Sequence, residues 1–138
     1  MKMGFEGLAY YGAKGSTAST LITNRRDINF DTDPQMAPTT VAGAGTSVPI
    51  ECEQPTTLKW SATITIPHDT ADAVLEALRV AAGSAGQIAL RLKSYASGKG
   101  YNGDVNVKES FAGPLNGDQV YSYTLTPNNT LRAPQLYV

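Results

Sequence analysis

The chain holds few side chains that could perform catalysis, and they lie apart in the sequence. His68 is the one histidine, and it falls at a predicted strand-to-helix junction. A general base must lie within hydrogen-bond reach of the proton it removes, and the sequence assembles no acid–base set around this residue. Cys52 lies between Glu51 and Glu53, whose negative charge disfavours a reactive thiolate. We therefore interpret His68 as a surface or capping residue and Cys52 as a small strand residue.

A glycine-rich loop, Ser97-Gly98-Lys99-Gly100, has part of the composition of a phosphate-binding loop. That motif needs a glycine five positions before Gly98 and a Ser or Thr after the lysine. Lys93 and Gly100 occupy those two positions, and the loop joins two predicted strands instead of leading into a helix. We therefore predict that residues 97–103 form a mobile surface loop.

Several carboxylates flank an irregular segment in the first half of the chain. They are Asp27, Asp31, Asp33, Glu51 and Glu53. Two interpretations stay open for them, ordinary solvated loops and a patch of negative surface. One cysteine permits no intramolecular disulfide and, with one histidine, no zinc site of the usual Cys/His kind. We predict that the protein is not an enzyme and needs no cofactor.

The composition is that of one folded domain covering residues 1–138. An apolar share of 41% supports a hydrophobic core, and a charged share of only 17% is consistent with a surface that contacts another protein. The net charge of −1 and the scattered basic residues argue against binding of nucleic acid through its phosphates. No apolar run approaches the roughly 20 residues that cross a bilayer, and we expect neither a signal peptide nor a membrane anchor.

Segments with alternating side chains predict a mainly β protein with one helix. The clearest strand covers residues 57–66, and its apolar face is predicted to hold Leu58, Trp60, Ala62, Ile64 and Ile66. Further strands are predicted at residues 5–11, 20–31, 87–93, 104–111 and 119–126, with a tight hairpin turn at Asn116-Gly117. The helix covers about residues 69–83, with Asp69 or Thr70 as its cap. Its apolar face is predicted to hold Ala71, Val74, Leu75, Leu78 and Ala82.

Residues 32–50 interrupt this alternation. The segment contains Pro34, Pro38, Gly43, Gly45 and Pro49, and it shows no sustained periodicity. A structureless stretch of this length is uncommon in a compact domain and is often a functional arm. We therefore predict a long irregular arm here. The polar end of the chain, from residue 127 on, is predicted to be disordered unless it docks on something.

The order of these elements and several short strings resemble the tail tube proteins of bacteriophages. The opening Gly4-Phe5-Glu6-Gly7-Leu8-Ala9-Tyr10-Tyr11-Gly12 is similar to the family's GxLYYG strand, and the LITNRRDINF string of residues 21–30 is similar to its xITNVRDxxL segment. Asp31-Thr32-Asp33 and Thr39-Thr40 stand where the family has an acidic stretch with threonines. The alternating strand, the helix with its D-x-x-D opening and the last hairpin follow in the family's order. Val41 stands where the family often has an arginine.

This resemblance implies a β-sandwich or barrel of two packed antiparallel sheets, flanked by one α-helix and extended by an arm at about residues 32–50. It implies that six copies close into a ring and that rings stack into the hollow tube of a virion tail, assembled in the host cytoplasm. The expected partners are further copies of the chain and tail sheath, tape-measure and baseplate or tail-terminator proteins. DNA is expected to pass through the tube without specific binding.

Two sets of residues follow as candidate sites. The arm residues expected to reach a neighbouring subunit are Pro34, Met36, Pro38, Thr39, Thr40, Val41 and Val48. The residues expected to line the lumen are Asp27, Asn29, Asp31, Lys59, Ser61 and Thr63. A neutral to negative lumen would let DNA slide, whereas a basic lining would hold its phosphates.

Two alternative functions fit the same sequence. One is the inner tube of a contractile injection system, such as a type VI secretion tube or a bacteriocin tail. The other is a carbohydrate-binding β-sandwich, which would need a face of exposed aromatic residues. Tyr10, Tyr11, Tyr95, Tyr101, Tyr121 and Tyr123 could supply such a face. Trp60, in contrast, shares the predicted apolar face of its strand and is expected in the core.

Overall fold

A computed structural model describes residues 1, 7–41, 48–69, 71–129 and 131–137 of the chain. Its elements confirm a mainly β protein with a helix between the fourth and fifth strands. They are β1 Leu8–Ala13, β2 Thr20–Leu21, β3 Asp27–Val41, β4 Ile50–Pro67, α1 Ala73–Gly83, β5 Gln87–Lys93, β6 Asn102–Ala112 and β7 Val120–Asn128. The part of the first predicted strand that falls on residues 5 and 6 lies outside the described residues.

The chain divides into two compact units. The first, called the body below, comprises Met1–Phe30 and Ser61–Val138, and the second, called the hairpin, comprises Asp31–Trp60. Strands β3 and β4 are long enough to contribute residues to both units. The assignment of residues 1–138 to a single domain therefore stays a prediction.

The strands are hydrogen-bonded in the order β2-β1-β5-β6-β7-β4-β3. Neighbouring strands pair in antiparallel fashion: Ala9 lies opposite Leu92, Ile88 opposite Val105, and Ala62 opposite Leu125. Among the described residues, β2 and β3 are the outer strands of this one sheet. The division into two packed sheets stays a prediction, because the strands form one continuous series of neighbours.

One face of the body's strands and one face of α1 form the hydrophobic core. Alternate residues of β4, β5 and β7 are buried, among them Ile64, Ile66, Leu90, Leu92, Tyr123 and Leu125. The helix adds Leu75, Leu78 and Ala81, whereas Ala71 of the predicted apolar face is exposed. Burying a large aliphatic side chain contributes roughly 1.5–3 kcal/mol. The predicted inward position of Leu58 is wrong, because this side chain lies in the hairpin and is exposed.

The helix begins later than the sequence predicts. Its N-cap is Asp72, whose Oδ1 accepts hydrogen bonds from the backbone N–H groups of Val74 at 3.0 Å and Leu75 at 3.3 Å. Asp69 instead accepts from the Ala71 N–H at 3.0 Å, one turn earlier. Prediction of Asp69 as the cap is therefore wrong, since its carboxylate is used in the preceding turn. Thr70, the other predicted cap, lies outside the described residues.

The predicted structureless arm is in large part a β-hairpin. Residues 32–41 continue β3, and β4 begins at Ile50, so the prediction of an irregular stretch is wrong for these residues. The Thr56 hydroxyl donates to the Gln35 carbonyl at 3.1 Å, and the Thr39 hydroxyl donates to the Cys52 carbonyl at 3.3 Å. Outer strands tolerate proline, and the ring's fixed φ fits extended backbone. Gly43 and Gly45 lie outside the described residues.

The β6–β7 connection also differs from its prediction. Residues 113–119 join the two strands, and the Gly117 N–H donates to the Pro114 carbonyl at 3.3 Å. Asn116-Gly117 therefore forms the second half of a four-residue turn inside a longer loop, not a two-residue hairpin turn. The cause is that β6 pairing with β7 ends at the Ala112–Val120 pair, before the turn begins.

Two segments predicted to be mobile are held by contacts in the body. In the loop at 97–103, the Leu92 N–H donates to the Tyr101 carbonyl at 2.9 Å, and the Tyr101 side chain is buried. At the end of the chain, Asn102 and Gln135 exchange two backbone hydrogen bonds of 2.9 Å. The mobile-loop prediction is wrong for residues 101–103, and the final segment docks on its own chain.

Candidate assembly surfaces

The sheet presents a polar face on the side away from α1. Thr63 lies opposite Thr124, which in turn lies opposite Lys108. The next row along the strands is Thr65, Ser122 and Ser110. Hydroxyl groups thus dominate the centre of this face, and Lys108 adds a positive charge to it. Because opposed residues of paired strands share a face, Arg91 and Lys93 belong to the same side of the sheet, toward β1.

The six residues predicted to line a lumen do not all share this face. Ser61 and Thr63 are half-buried on the polar face of β4. The Arg26 N–H donates to the Thr65 carbonyl at 2.8 Å, so these two residues lie opposite each other. Asp27 and Asn29 are exposed and, by strand alternation, point to the opposite side from Arg26. The remaining two, Asp31 and Lys59, are exposed in the hairpin.

The hairpin carries exposed apolar side chains along both of its strands. Met36, Val48, Ile50 and Leu58 are between 43% and 68% exposed. Of the predicted arm residues, Pro34 and Pro38 are exposed and Thr39 is half-buried. For Thr40 and Val41, only the backbone is described. Sequence reasoning missed Ile50 and Leu58. The alternation that assigned Leu58 to the core gave no sign that β4 extends beyond the body.

The hairpin is also acidic. Four of the twelve carboxylate residues of the chain fall within residues 31–60, together with one of its eleven basic residues. The acidic four are Asp31, Asp33, Glu51 and Glu53, all exposed. The rest of the chain has ten basic and eight acidic residues. The four acidic residues of the hairpin lie in strands β3 and β4, not in loops, and the patch of negative surface stays a prediction.

An aromatic cluster covers the helix-facing side of β6 and β7. The Tyr121 ring lies 5.2 Å from the ring of Phe111 and 5.7 Å from that of His68, and the Arg79 guanidinium lies 5.2 Å above it. Tyr121 and then Glu76 raise the pKa of Arg79 above its usual value. His68 therefore packs against an aromatic ring.

A buried carboxylate anchors the end of the chain. Asp104 is fully buried, and its Oδ1 accepts from the Gly15 N–H at 3.2 Å and lies 4.0 Å from Nη1 of Arg132. Arg132 also donates to the Ser16 carbonyl at 2.7 Å and to Oδ1 of Asn102. The Tyr101 hydroxyl donates to the Asp104 carbonyl at 2.8 Å. Burial, and then the charge of Asp104, raise the pKa of Tyr101 to about 12.

The described ranges hold neither a metal-binding cluster nor a membrane-spanning helix. Residues 7–41, 48–69, 71–129 and 131–137 contain no group of three or more His, Cys, Asp or Glu side chains placed to hold a metal ion. In the same ranges, α1 is too short to span a bilayer, and no other helix there is long and apolar enough to do so.

Comparison with solved structures places this fold among those of virus-like tails. A chain of the tail of an empty GTA particle, refined with helical and C6 symmetry, superposes with a TM-score of 0.78 at 14% identity, over 100% of both chains. The SPP1 tail tube superposes with a TM-score of 0.69 at 12% identity, over 98% of this chain and 80% of the other. The chain shares the fold of tail tube proteins.

A third similar structure comes from an intact particle. A chain of the virion of the native gene transfer agent particle superposes with a TM-score of 0.71 at 12% identity, covering 98% of this chain and 99% of the other. No protein-family model and no curated protein sequence matches the chain. The likeness is therefore one of fold, carried by backbone geometry over nearly the whole chain at low sequence identity.

Proposed function

We propose that this chain is a structural tail tube protein, which forms hexameric rings that stack into the hollow tube of a phage tail. The observation that carries the proposal is the superposition over the full length of both chains on a component of a tail with C6 symmetry. Structural similarity alone does not establish function, because one fold can serve many functions. The surfaces of the body and the hairpin supply the additional support.

The outer strands of the sheet suit ring closure. An outer strand presents unpaired N–H and C=O groups that can pair with a strand of another chain. Within the described residues, β2 is only two residues long, whereas β3 runs for 15 residues from Asp27 to Val41. Pairing of β3 with a different edge of the next copy is a heterologous contact, and such contacts close into rings when the rotation fits.

The hairpin suits contact with a neighbouring copy. Its exposed apolar residues would gain free energy from burial, at roughly 25 cal/mol per Å² of area removed from water. Its four carboxylates and one ammonium complement a remainder that has more basic than acidic residues. We propose that the hairpin, including Met36 and Val48 of the predicted arm, docks on the body of an adjacent subunit.

The assignment of residues to the lumen wall is part of the same proposal. Ser61 and Thr63, with the hydroxyl-rich rows beside them, would offer hydrogen bonds to the phosphates of DNA. Lys108, Arg91 and Lys93, which belong to the same side of the sheet, would add positive charge to that wall. Asp27 and Asp31 would add negative charge, Asn29 would add a neutral amide, and Lys59 would add positive charge. We propose that DNA passes without specific binding, and that the tube meets a tape-measure protein, a baseplate or tail-terminator protein and, in a contractile tail, a sheath.

Electron microscopy of the purified chain tests the proposal. The wild-type chain is expected to form hollow tubes, and a chain in which Asn-Gly replaces residues 35–56 is expected to keep a folded body without forming tubes. Gln35 and Thr56 are suitable limits because a hydrogen bond joins the two strands there. Cys52→Ser, a conservative change of an exposed hairpin residue, serves as the control and should leave tubes intact.

The two parts of the proposal can be refuted separately. A wild-type chain that stays monomeric at high concentration would contradict the tail tube function. Normal tubes from the shortened chain, with an unchanged circular dichroism spectrum, would contradict only the role of the hairpin.

A further inference from the structure

The sequence contains the string Asn-Gly-Asp twice, at Asn102-Gly103-Asp104 and at Asn116-Gly117-Asp118. An asparagine before glycine can lose its side-chain amide, because the glycine's backbone nitrogen reaches Cγ of the asparagine without hindrance from a Cβ. By sequence alone the two sites have the same local chemistry. The structure gives them opposite surroundings, since the first lies in strand β6 and the second in the loop after it.

The site in the loop is accessible and weakly held. Asn116 and Gly117 are both exposed. The Gly117 N–H donates to the Pro114 carbonyl at 3.3 Å, which is longer than the usual N–H···O distance of about 2.9 Å. An exposed turn with such a bond opens more easily than a strand in the middle of a sheet. The Gly117 nitrogen can therefore approach the side chain of Asn116.

The site in β6 is held through Asn102. This residue exchanges two backbone hydrogen bonds of 2.9 Å with Gln135, and its Oδ1 accepts a hydrogen bond from Arg132. Attack on Cγ requires rotation about the Cα–C bond of the asparagine, away from the extended conformation of a strand. Such a rotation would break the bonds to Gln135, so these contacts resist the reaction at Asn102.

Gly103 is held on the opposite edge of β6. It is buried and lies opposite Leu90 of β5. The Leu92 N–H donates to the Tyr101 carbonyl at 2.9 Å, so Leu90 and Gly103 form the next hydrogen-bonded pair of the antiparallel ladder. The Gly103 nitrogen is therefore directed toward the Leu90 carbonyl and not toward the side chain of Asn102.

We propose that Asn116 is a site of spontaneous deamidation, whereas Asn102 is protected by the fold. The Gly117 nitrogen loses its proton and its lone pair attacks Cγ of Asn116, which forms an N–Cγ bond. The Cγ–Nδ2 bond breaks, and its electron pair leaves with ammonia, which takes up one proton. Water then opens the resulting succinimide ring. Cleavage of the new N–Cγ bond gives aspartate, and cleavage of the original peptide bond gives isoaspartate.

The reaction changes the charge of the loop. Asp118 pairs with Arg26, so the two charges beside the site balance each other. A carboxylate at position 116 leaves this surface with an uncompensated negative charge and adds one negative charge to the chain's net charge of −1. The isoaspartate product also lengthens the backbone of the turn by one carbon atom. Water is the only co-reactant, so the change accumulates with the age of the protein.

Peptide mass spectrometry of the aged native chain tests the proposal. The purified chain is kept unassembled at low concentration and mildly alkaline pH, which favours the deprotonated nitrogen, and samples are digested at acidic pH. Peptides with Asn116 are expected to show the mass gain of amide-to-acid exchange at least tenfold faster than peptides with Asn102. The matched control is the same chain in urea, where the two rates should agree within about twofold because unfolding removes the protection of Asn102.

Asn116→Gln assigns the change to one residue. Glutamine keeps the amide but would have to close a six-membered ring, which forms far more slowly. Native isoelectric focusing of the aged wild-type chain is expected to show a growing acidic band, and the Asn116→Gln chain should lack most of it.

The outcomes decide the proposal without reference to the tail tube function, because the chain is measured unassembled. Equal rates at Asn102 and Asn116 in the native chain, or no acid product at Asn116, would overturn it. A fast reaction at Asn116 in the native chain, matched at Asn102 only in urea, would support it.

Discussion

Replacement of Arg132 by methionine is a sharp test of how the chain's end is held. Methionine keeps most of the length and apolar stem of the side chain but removes its charge and its donors. The change deletes the hydrogen bonds to the Ser16 carbonyl and to Asn102, and it removes the cation 4.0 Å from the buried Asp104 carboxylate. Asp104 then keeps one described donor, the Gly15 N–H at 3.2 Å.

The expected loss follows from these contacts. Breaking a buried ion pair by removing one partner costs about 3–5 kcal/mol. The 4.0 Å separation and the 19% exposure of Arg132 place this pair below that range, at about 2 kcal/mol, because solvent screens the interaction. The two lost hydrogen bonds add about 0.5–1.5 kcal/mol each, and part of this overlaps with the charge contribution. We expect Arg132→Met to lower the free energy of unfolding by about 3 kcal/mol.

Urea unfolding of the unassembled chain, followed by circular dichroism, measures this loss. Arg26→Met is the matched control, because Arg26 pairs with Asp118 where both side chains are largely exposed, and it should cost less than about 1 kcal/mol. Arg132→Met combined with Asp104→Asn should be more stable than Arg132→Met alone, since the buried charge is removed with its partner. A loss for Arg132→Met no larger than for Arg26→Met would refute this account of the buried carboxylate.

Two further predictions concern the body. The pKa of Tyr101 is raised to about 12 from its ordinary value near 10, so the folded state keeps a proton that the unfolded state loses. The contribution of Tyr101 to stability should therefore be intact below about pH 10 and fall by roughly 2 kcal/mol toward pH 12. Tyr101→Phe should remove that part of the fall in pH-dependent urea titrations and leave the part due to Tyr123, whose pKa burial also raises. Asp72→Ala should cost about 1 kcal/mol in thermal unfolding, because it removes the helix cap, whereas Asp69→Ala should cost measurably less. Equal losses for the two aspartates would contradict the assignment of the cap.

The sequence predicts the elements of the body because their side chains alternate between two environments. In β5, Ile88, Leu90 and Leu92 are buried and Arg91 is only partly covered, as the alternation predicts, while the small Ala89 on the other face is buried as well. The start of α1 was harder to predict, since Asp69 and Asp72 are both good caps by residue type. Only the backbone position decides which carboxylate reaches the first free N–H groups of the helix.

The hairpin could not be predicted in this way because, apart from Trp60, its described side chains are exposed or only half-buried. Without a buried face, alternation of apolar and polar residues is not required, and Pro34 and Pro38 then suggest a break rather than a strand. The prediction that Leu58 is in the core fails for the same reason, since its apolar side chain would suit a contact that another molecule completes.

Cryo-electron microscopy of the filaments formed by the purified chain, with their rotational symmetry determined, tests the central claim most directly. We expect a hollow tube built from stacked rings of six copies, with the hairpin of each copy resting on a neighbour. Monomers that never assemble, or filaments with no continuous channel, would contradict it.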